Sequence, residues 1–239
     1  MLRGTGDYRI ERWFAGGVPL AAVRSAGARG SMPAVVIFHN FGGNKTDDLL
    51  RLAVSLADAG CVAIMPDAAL HGERAPDDFA LRLQEDHDGL FLDSLRGTLG
   101  EAHDVLAWVA DRDDVDPDRI GAVGVSMGGA VALALSCREH PLAPKVAVAL
   151  MPATPGSAMR QEAIYAPDPA SCFPTALLIV QGTEDRVGLH PTARSFYDEL
   201  VPHYSAAPER LRFVDMPGEA HRVGAYWIEE TLAWLGRFL

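Results

Sequence analysis

Gly124-Val125-Ser126-Met127-Gly128-Gly129 is the stretch whose reading decides the fold. An apolar strand-like run, 120–123, precedes it, and an alanine-rich helical run, 130–135, follows. A chain that turns from strand straight into helix leaves its apex residue in a strained conformation. Side chains flanking the apex would collide with neighbouring backbone, and glycines at 124 and 128 remove that conflict. Ser126 then stands at the apex with its hydroxyl exposed above the sheet. The Met127 amide opens the helix and points its N–H toward any negative charge that develops there. A G-x-S-x-G pentapeptide alone occurs by accident; the strand before it and the helix after it supply the meaning.

Outward from this turn, short apolar runs alternate with helical patterns. The runs 34–38, 62–65, 120–125, 146–150, 176–180 and 211–214 have the continuous apolar character of buried parallel strands. Helices are expected over 46–59, 90–110, 127–138, 191–200 and 224–238. Thr46 is the expected N-cap of the first, followed by Asp47 and Asp48. Ahead of these, 8–14 and 18–24 flank Gly16-Gly17 and read as an antiparallel hairpin at a sheet edge. The alternation predicts an α/β protein: one domain over 1–239, with a mostly parallel sheet of about eight strands and helices on both faces. Two stretches break the rhythm, 67–84 and 152–174. Both follow strands, so both are expected over the carboxyl edge of the sheet, where such folds bind ligands. The second reads as a short lid-like insertion, too short for a large cap.

Bulk properties narrow the function. The chain has 239 residues, 49% of them hydrophobic, with a formal net charge of −11. That charge disfavours nucleic acid and anionic lipid as partners. No run approaches the ~20 apolar residues of a membrane span, and the first residues lack an apolar signal core. The cytoplasm is therefore the expected location. Cys61, Cys137 and Cys172 are odd in number and widely spaced, with no metal-type pattern. Cys61 and Cys137 sit in apolar runs and read as core residues. No metal or organic cofactor is expected.

Around the Ser126 turn the sequence resembles the α/β-hydrolase superfamily over nearly its whole length. Within it, the chain is similar to small bacterial esterases grouped with dienelactone hydrolases and prolyl-oligopeptidase-like enzymes. The resemblance implies a nucleophile, acid, histidine order. It places the histidine at His221, in the loop Met216-Pro217-Gly218-Glu219-Ala220-His221 before the last helix. It places the acid at Asp185, in Gly182-Thr183-Glu184-Asp185, with Glu184 the alternative. The oxyanion hole would pair the Met127 amide with one from His39-Asn40-Phe41-Gly42-Gly43, and the resemblance assigns Phe41. Family members usually carry glycine where Asn40 stands, and asparagine tolerates positive φ better than most residues. His39 reads as a residue that pins this loop, with a polar contact to substrate as the other option; Asn40 is a further substrate-side candidate.

The stretch Asp67-Ala68-Ala69-Leu70-His71-Gly72-Glu73-Arg74 resembles a motif of the same esterases. Asp67, His71 and Arg74 either hold their loop by hydrogen bonds, the favoured reading, or His71 lines the pocket. Met151, Met159, Ile164 and Tyr165 are candidate apolar walls. His103 reads as structural, and His87, His140, His190 and His203 as exposed. The implied activity is hydrolysis of small carboxylic esters through an acyl-enzyme. Thioesters and amides are open on the same chemistry. A dienelactone hydrolase proper would be expected to carry cysteine at the turn, and Ser126 argues against that. A non-catalytic binding role is the remaining rival, and a homodimer is left open.

Overall fold

A computed structural model describes residues 6–46, 49–137, 142–154, 168–188 and 190–239 of the protein. Its strands are β1 (Tyr8–Ala15), β2 (Val18–Ser25), β3 (Met32–Phe38), β4 (Val62–Pro66), β5 (Val115–Val125), β6 (Val146–Leu150), β7 (Ala176–Gly182) and β8 (Leu211–Met216). The helices among the described residues are α1 (Leu50–Asp58), α2 (Phe79–Glu85), α3 (His87–Ala110), α4 (Met127–Ser136), α5 (His190–Leu200) and α6 (Ala225–Phe238). The strands form one sheet in the order β1-β2-β4-β3-β5-β6-β7-β8. The β1–β2 and β2–β4 pairs are antiparallel and the rest are parallel. The edge hairpin turns at Gly16-Gly17, with Gly16 at φ +59°.

Successive strand residues point to opposite faces, so the apolar runs divide into two buried layers. Ala34, Val36, Ile64, Ala122, Ala147, Ala149, Leu177 and Ile179 face one layer, shared with residues of α3, α4 and α5. Val35, Ile37, Met65, Val123, Val148, Leu178 and Val180 face the other, shared with α1 and α6. All ten residues of α4 are buried. A helix buried all round must be apolar all round, which explains Met127–Ser136 with its run of Ala, Val and Leu. It packs on β5, β6 and β3. Alanines on both sides, at 122, 147 and 149 of the strands and at 130, 132 and 134 of the helix, leave room for that close approach.

Three expectations change. The first helix begins at Leu50, with Leu49 as its cap residue and no side-chain cap bond. Thr46 instead directs both its amide and its hydroxyl to Asn44 Oδ1, at 2.8 and 2.9 Å; Asp47 and Asp48 lie outside the described residues. The stretch 67–84 holds a 3₁₀ turn (Gly72–Arg74) and most of α2, and α3 starts earlier than expected because Asp86 accepts the Gly89 amide as a cap. Finally, Cys61 and Cys137 are buried in the two core layers as expected, but Cys137 is joined to Cys172 by a disulfide, while Cys61 is free. Distance along the chain concealed that pairing. Disulfides are uncommon in reducing compartments, so the cysteines no longer support a cytoplasmic location. Residues 155–167, most of the expected lid with Met159, Ile164 and Tyr165, lie outside the described residues, as does His140. No helix among the described residues is long and apolar enough to cross a membrane.

If the small side chains between α4 and the sheet set this close approach, Ala149→Leu should overpack it. A loss of about 1–3 kcal/mol is expected from urea unfolding, whereas Ala110→Leu, at the half-buried end of α3, should cost far less.

Candidate active site

The parallel register brings the carboxyl ends of β3, β5, β6, β7 and β8 to one edge. At the end of β5 the chain turns through Ser126 at φ +56°, ψ −111°, in the left-handed half of conformational space that a serine rarely occupies. Hydrogen bonds hold it there. The Ser126 amide donates to Leu150 O at 2.9 Å, and its carbonyl accepts from Ala153 N at 3.0 Å and Ala130 N at 3.1 Å. A Cβ on Gly124 would lie 1.9 Å from Gly128 O, and one on Gly128 would lie 2.1 Å from Phe38 O. Neither neighbour is a side chain that can move aside, so both positions require glycine.

The loops after β7 and β8 are sewn together. The Thr183 amide donates to Met216 O, the Gly218 amide to Thr183 Oγ1 and the Glu184 amide to Glu219 O, at 3.1, 2.9 and 3.0 Å. This stitching carries His221 over the sheet edge. Its Nε2 lies 2.9 Å from Ser126 Oγ and its Nδ1 lies 2.7 Å from Asp185 Oδ2. A carboxylate only accepts, so Nδ1 carries the proton and the Nε2 lone pair faces the serine hydroxyl. Asp185 is buried, and Oδ1 accepts the amides of Val187 and Gly188, both at 2.8 Å. Its Oδ2 also accepts from Gln181 Nε2 at 2.7 Å. Four donors thus converge on its two oxygens and fix the orientation of the carboxylate. Glu184 is exposed; the carboxylate that reaches His221 is that of Asp185.

On the other side of Ser126, the loop after β3 rests on two histidines. His39 Nδ1 lies 2.8 Å from Asn40 O and its Nε2 accepts the Ala68 amide at 2.9 Å. His71 Nδ1 lies 2.9 Å from Ala69 O and its Nε2 accepts the Gly42 amide at 2.9 Å. Each ring donates to a carbonyl through Nδ1 and accepts an N–H at Nε2, an arrangement that needs neutral imidazole. Both rings are 1% exposed, so His71 sits beneath the loop with its nitrogens engaged and is not presented as a polar contact to substrate. Asn40 is not in the left-handed region; the positive φ of this loop falls on Gly42, at +80°. The amides of Phe41 and Met127 donate to no described residue. Met151 is 1% exposed and packs in the core layer with Val148 and Val180, so it does not stand open as a pocket wall. The Phe41 ring meets Phe91 and His87 edge-on, with centroids 5.4 and 5.3 Å apart.

Beneath this loop, Asp67 accepts the Lys45 and Glu73 amides, both at 3.0 Å, and the Lys45 ammonium. Arg12 and Lys45 hold the Glu73 carboxyl down at about 2. Arg74 forks onto Glu101 with two contacts of 2.6 Å. This network ties the loops after β3 and β4 together. Lys45 and Gln181 were not legible as part of the site, because nothing in their local sequence marks what they meet across the fold. Among the described residues no group of three or more His, Cys, Asp or Glu side chains is arranged to hold a metal.

A serine, an imidazole and a carboxylate in one hydrogen-bonded line at the carboxyl edge of a mostly parallel sheet define a site of the α/β-hydrolase class. The chain belongs to the dienelactone hydrolase family, whose model matches residues 20–201. It is 27% identical to YitV of Bacillus subtilis (strain 168) over 97% of this chain and 99% of that protein. It is 35% identical to esterase YjfP of Escherichia coli (strain K12), over 46% of this chain and 41% of that one. Among solved structures, the esterase Est2 of Thermogutta terrifontis with butyrate bound superposes with a TM-score of 0.69 at 17% identity, covering 98% of this chain and 95% of that one. Est2 has also been solved with propionate bound.

Burial pushes the His71 pKa below its usual 6.5. The unfolded chain therefore takes up this proton first on acidification. The stability that depends on neutral His71 is complete above about pH 6.5 and is lost as pH falls toward the lowered folded-state value. His71→Gln keeps a neutral donor and acceptor but removes the titration. Melting temperatures of wild type and variant should differ more at neutral pH than at mildly acidic pH, because only the wild type pays this acid penalty.

Proposed function

We propose that the chain is a serine esterase for small carboxylic esters, working through an acyl-enzyme as one α/β unit over residues 1–239. The observation that carries the reading is the unbroken hydrogen-bonded line from Ser126 Oγ through His221 to the Asp185 carboxylate. His221 Nε2 takes the hydroxyl proton as Ser126 Oγ bonds to the ester carbonyl carbon. The carbonyl electrons move onto oxygen, and the free amides of Met127 and Phe41 donate to that oxyanion. The tetrahedral intermediate collapses, the C–O bond to the alcohol breaks, and Nε2–H protonates the departing oxygen. Water then attacks the acyl carbon while His221 takes its proton. Collapse of the second intermediate returns that proton to Ser126 Oγ and frees the acid.

Asp185 stays ionised throughout and stabilises the imidazolium that forms twice per cycle. A cleft of about 880 Å³ opens beside His221, lined by Thr183, Glu184, Arg186, Val187 and His190. The likeness to Est2, captured with butyrate and with propionate, supports a short acyl group.

p-Nitrophenyl acetate and butyrate should be hydrolysed faster than the decanoate. Ser126→Ala should lower kcat by at least about 10³-fold and abolish labelling by a fluorophosphonate, with the fold intact by circular dichroism. A wild type that neither labels nor turns over these esters would defeat the reading, and faster cleavage of acyl-thioesters or aminoacyl amides would redirect it.

A further inference from the structure

Gln181 lies at the end of β7, after the wholly apolar run Ala176-Leu177-Leu178-Ile179-Val180, and none of its surface is exposed. Its side chain makes one hydrogen bond, from Nε2 to Asp185 Oδ2 at 2.7 Å. Oε1 is buried and receives no donor from the described residues. The amide cannot turn over to relieve this, because Oε1 would then face an ionised carboxylate, two acceptors against each other. A Cβ on Gly188 would lie 2.9 Å from Asp185 Oδ2 and 3.1 Å from Gln181 Nε2, so the Gly188 backbone closes over the pair.

A buried amide oxygen that finds no donor among the described residues is costly to bury. What the amide supplies in return is directed at the site. The oxygen it holds is the one that receives His221 Nδ1–H at 2.7 Å. The amides of Val187 and Gly188 fix Oδ1, and Gln181 fixes Oδ2. Without the Gln181 donor Oδ2 is held by His221 alone, so the carboxylate can tilt about its Oδ1 anchor and Oδ2 loses part of its bearing on the imidazole.

We infer that Gln181 is a positioning residue for the hydrolytic site. It aims Asp185 Oδ2 at His221 by holding the same oxygen that receives Nδ1–H. The inference deepens the esterase reading and rests on it for its kinetic consequences. Losing that aim weakens the hydrogen bond from His221 Nδ1–H to Oδ2 and with it the carboxylate's support of the imidazolium.

Gln181→Met keeps the length of the side chain without its donor, and Gln181→Asn keeps an amide one methylene too short. Both should lower kcat for p-nitrophenyl acetate on the order of ten- to a hundredfold with KM little changed, as misaimed catalytic groups do. The acid limb of the kcat/KM profile should move to lower pH in Gln181→Met, with the fold intact by circular dichroism. A structural role alone would instead lower the melting temperature and leave kcat and the acid limb in place, which would overturn the inference. The far-downfield proton resonance of the His221–Asp185 hydrogen bond gives a readout without substrate. It should shift or broaden in both variants, and an unchanged signal would sink the proposal even if no ester proves to be a substrate.

Discussion

The backbone of α4 approaches the end of β3 so closely that no side chain fits between them. A methyl group on Gly128 would penetrate the Phe38 carbonyl, and one on Gly124 would penetrate Gly128 itself. This contact sets where the helix begins, and with it the strained apex at Ser126. It also sets the helix amide of Met127 beside the loop that carries Phe41. The alanine-lined seam between α4 and the sheet extends the same close packing through the core. Site and core are here one constraint: the helix that fills the middle of the molecule is the helix whose first turn follows Ser126.

Backbone strain is concentrated at the same edge. Among the described residues the non-glycine positions with positive φ are Leu70, Ser126 and Met151, and they follow β4, β5 and β6. Each costs on the order of 1–3 kcal/mol, and Ser126 and Met151 are held by hydrogen bonds to the neighbouring strand. Ser126 bonds to Leu150, and Met151 in turn bonds to Val180. The edge is thus braced strand to strand, and polar side chains are suspended from it in fixed directions. The same bracing explains why both neutral histidines, His39 and His71, lie buried below the loop after β3. Imidazole accepts an N–H and donates to a carbonyl in one rigid ring, which suits it to holding two loops at a set spacing.

Much of this was legible in the primary structure for identifiable reasons. Parallel strands buried on both faces read as apolar runs, and β3, β4, β6 and β7 do so; in β5 the apolar run 120–125 is only the second half of a strand that starts at Val115 and continues through exposed, mostly polar residues. The turn at Ser126 carries its own steric requirement in Gly124 and Gly128. Helix beginnings were less legible. Thr46 has the chemistry of a cap yet bonds to Asn44, because a side chain that can accept an amide can equally close a local turn. Asn40 invited a left-handed reading, while Gly42, two residues on, takes that conformation more cheaply.

By itself, the order of residues determined the alternation of strands and helices, the strained serine turn and the types of side chain able to serve it. These depend on local sterics and on hydrophobic period, which neighbours in the chain decide. Only the tertiary structure decided that Asp185 and not Glu184 meets His221, that Cys137 finds Cys172, and that Lys45 and Gln181 underpin the loops they touch. Those are contacts between residues distant in the chain, fixed by strand order and register. A one-residue slip reverses which face a side chain occupies, and no local pattern records that outcome.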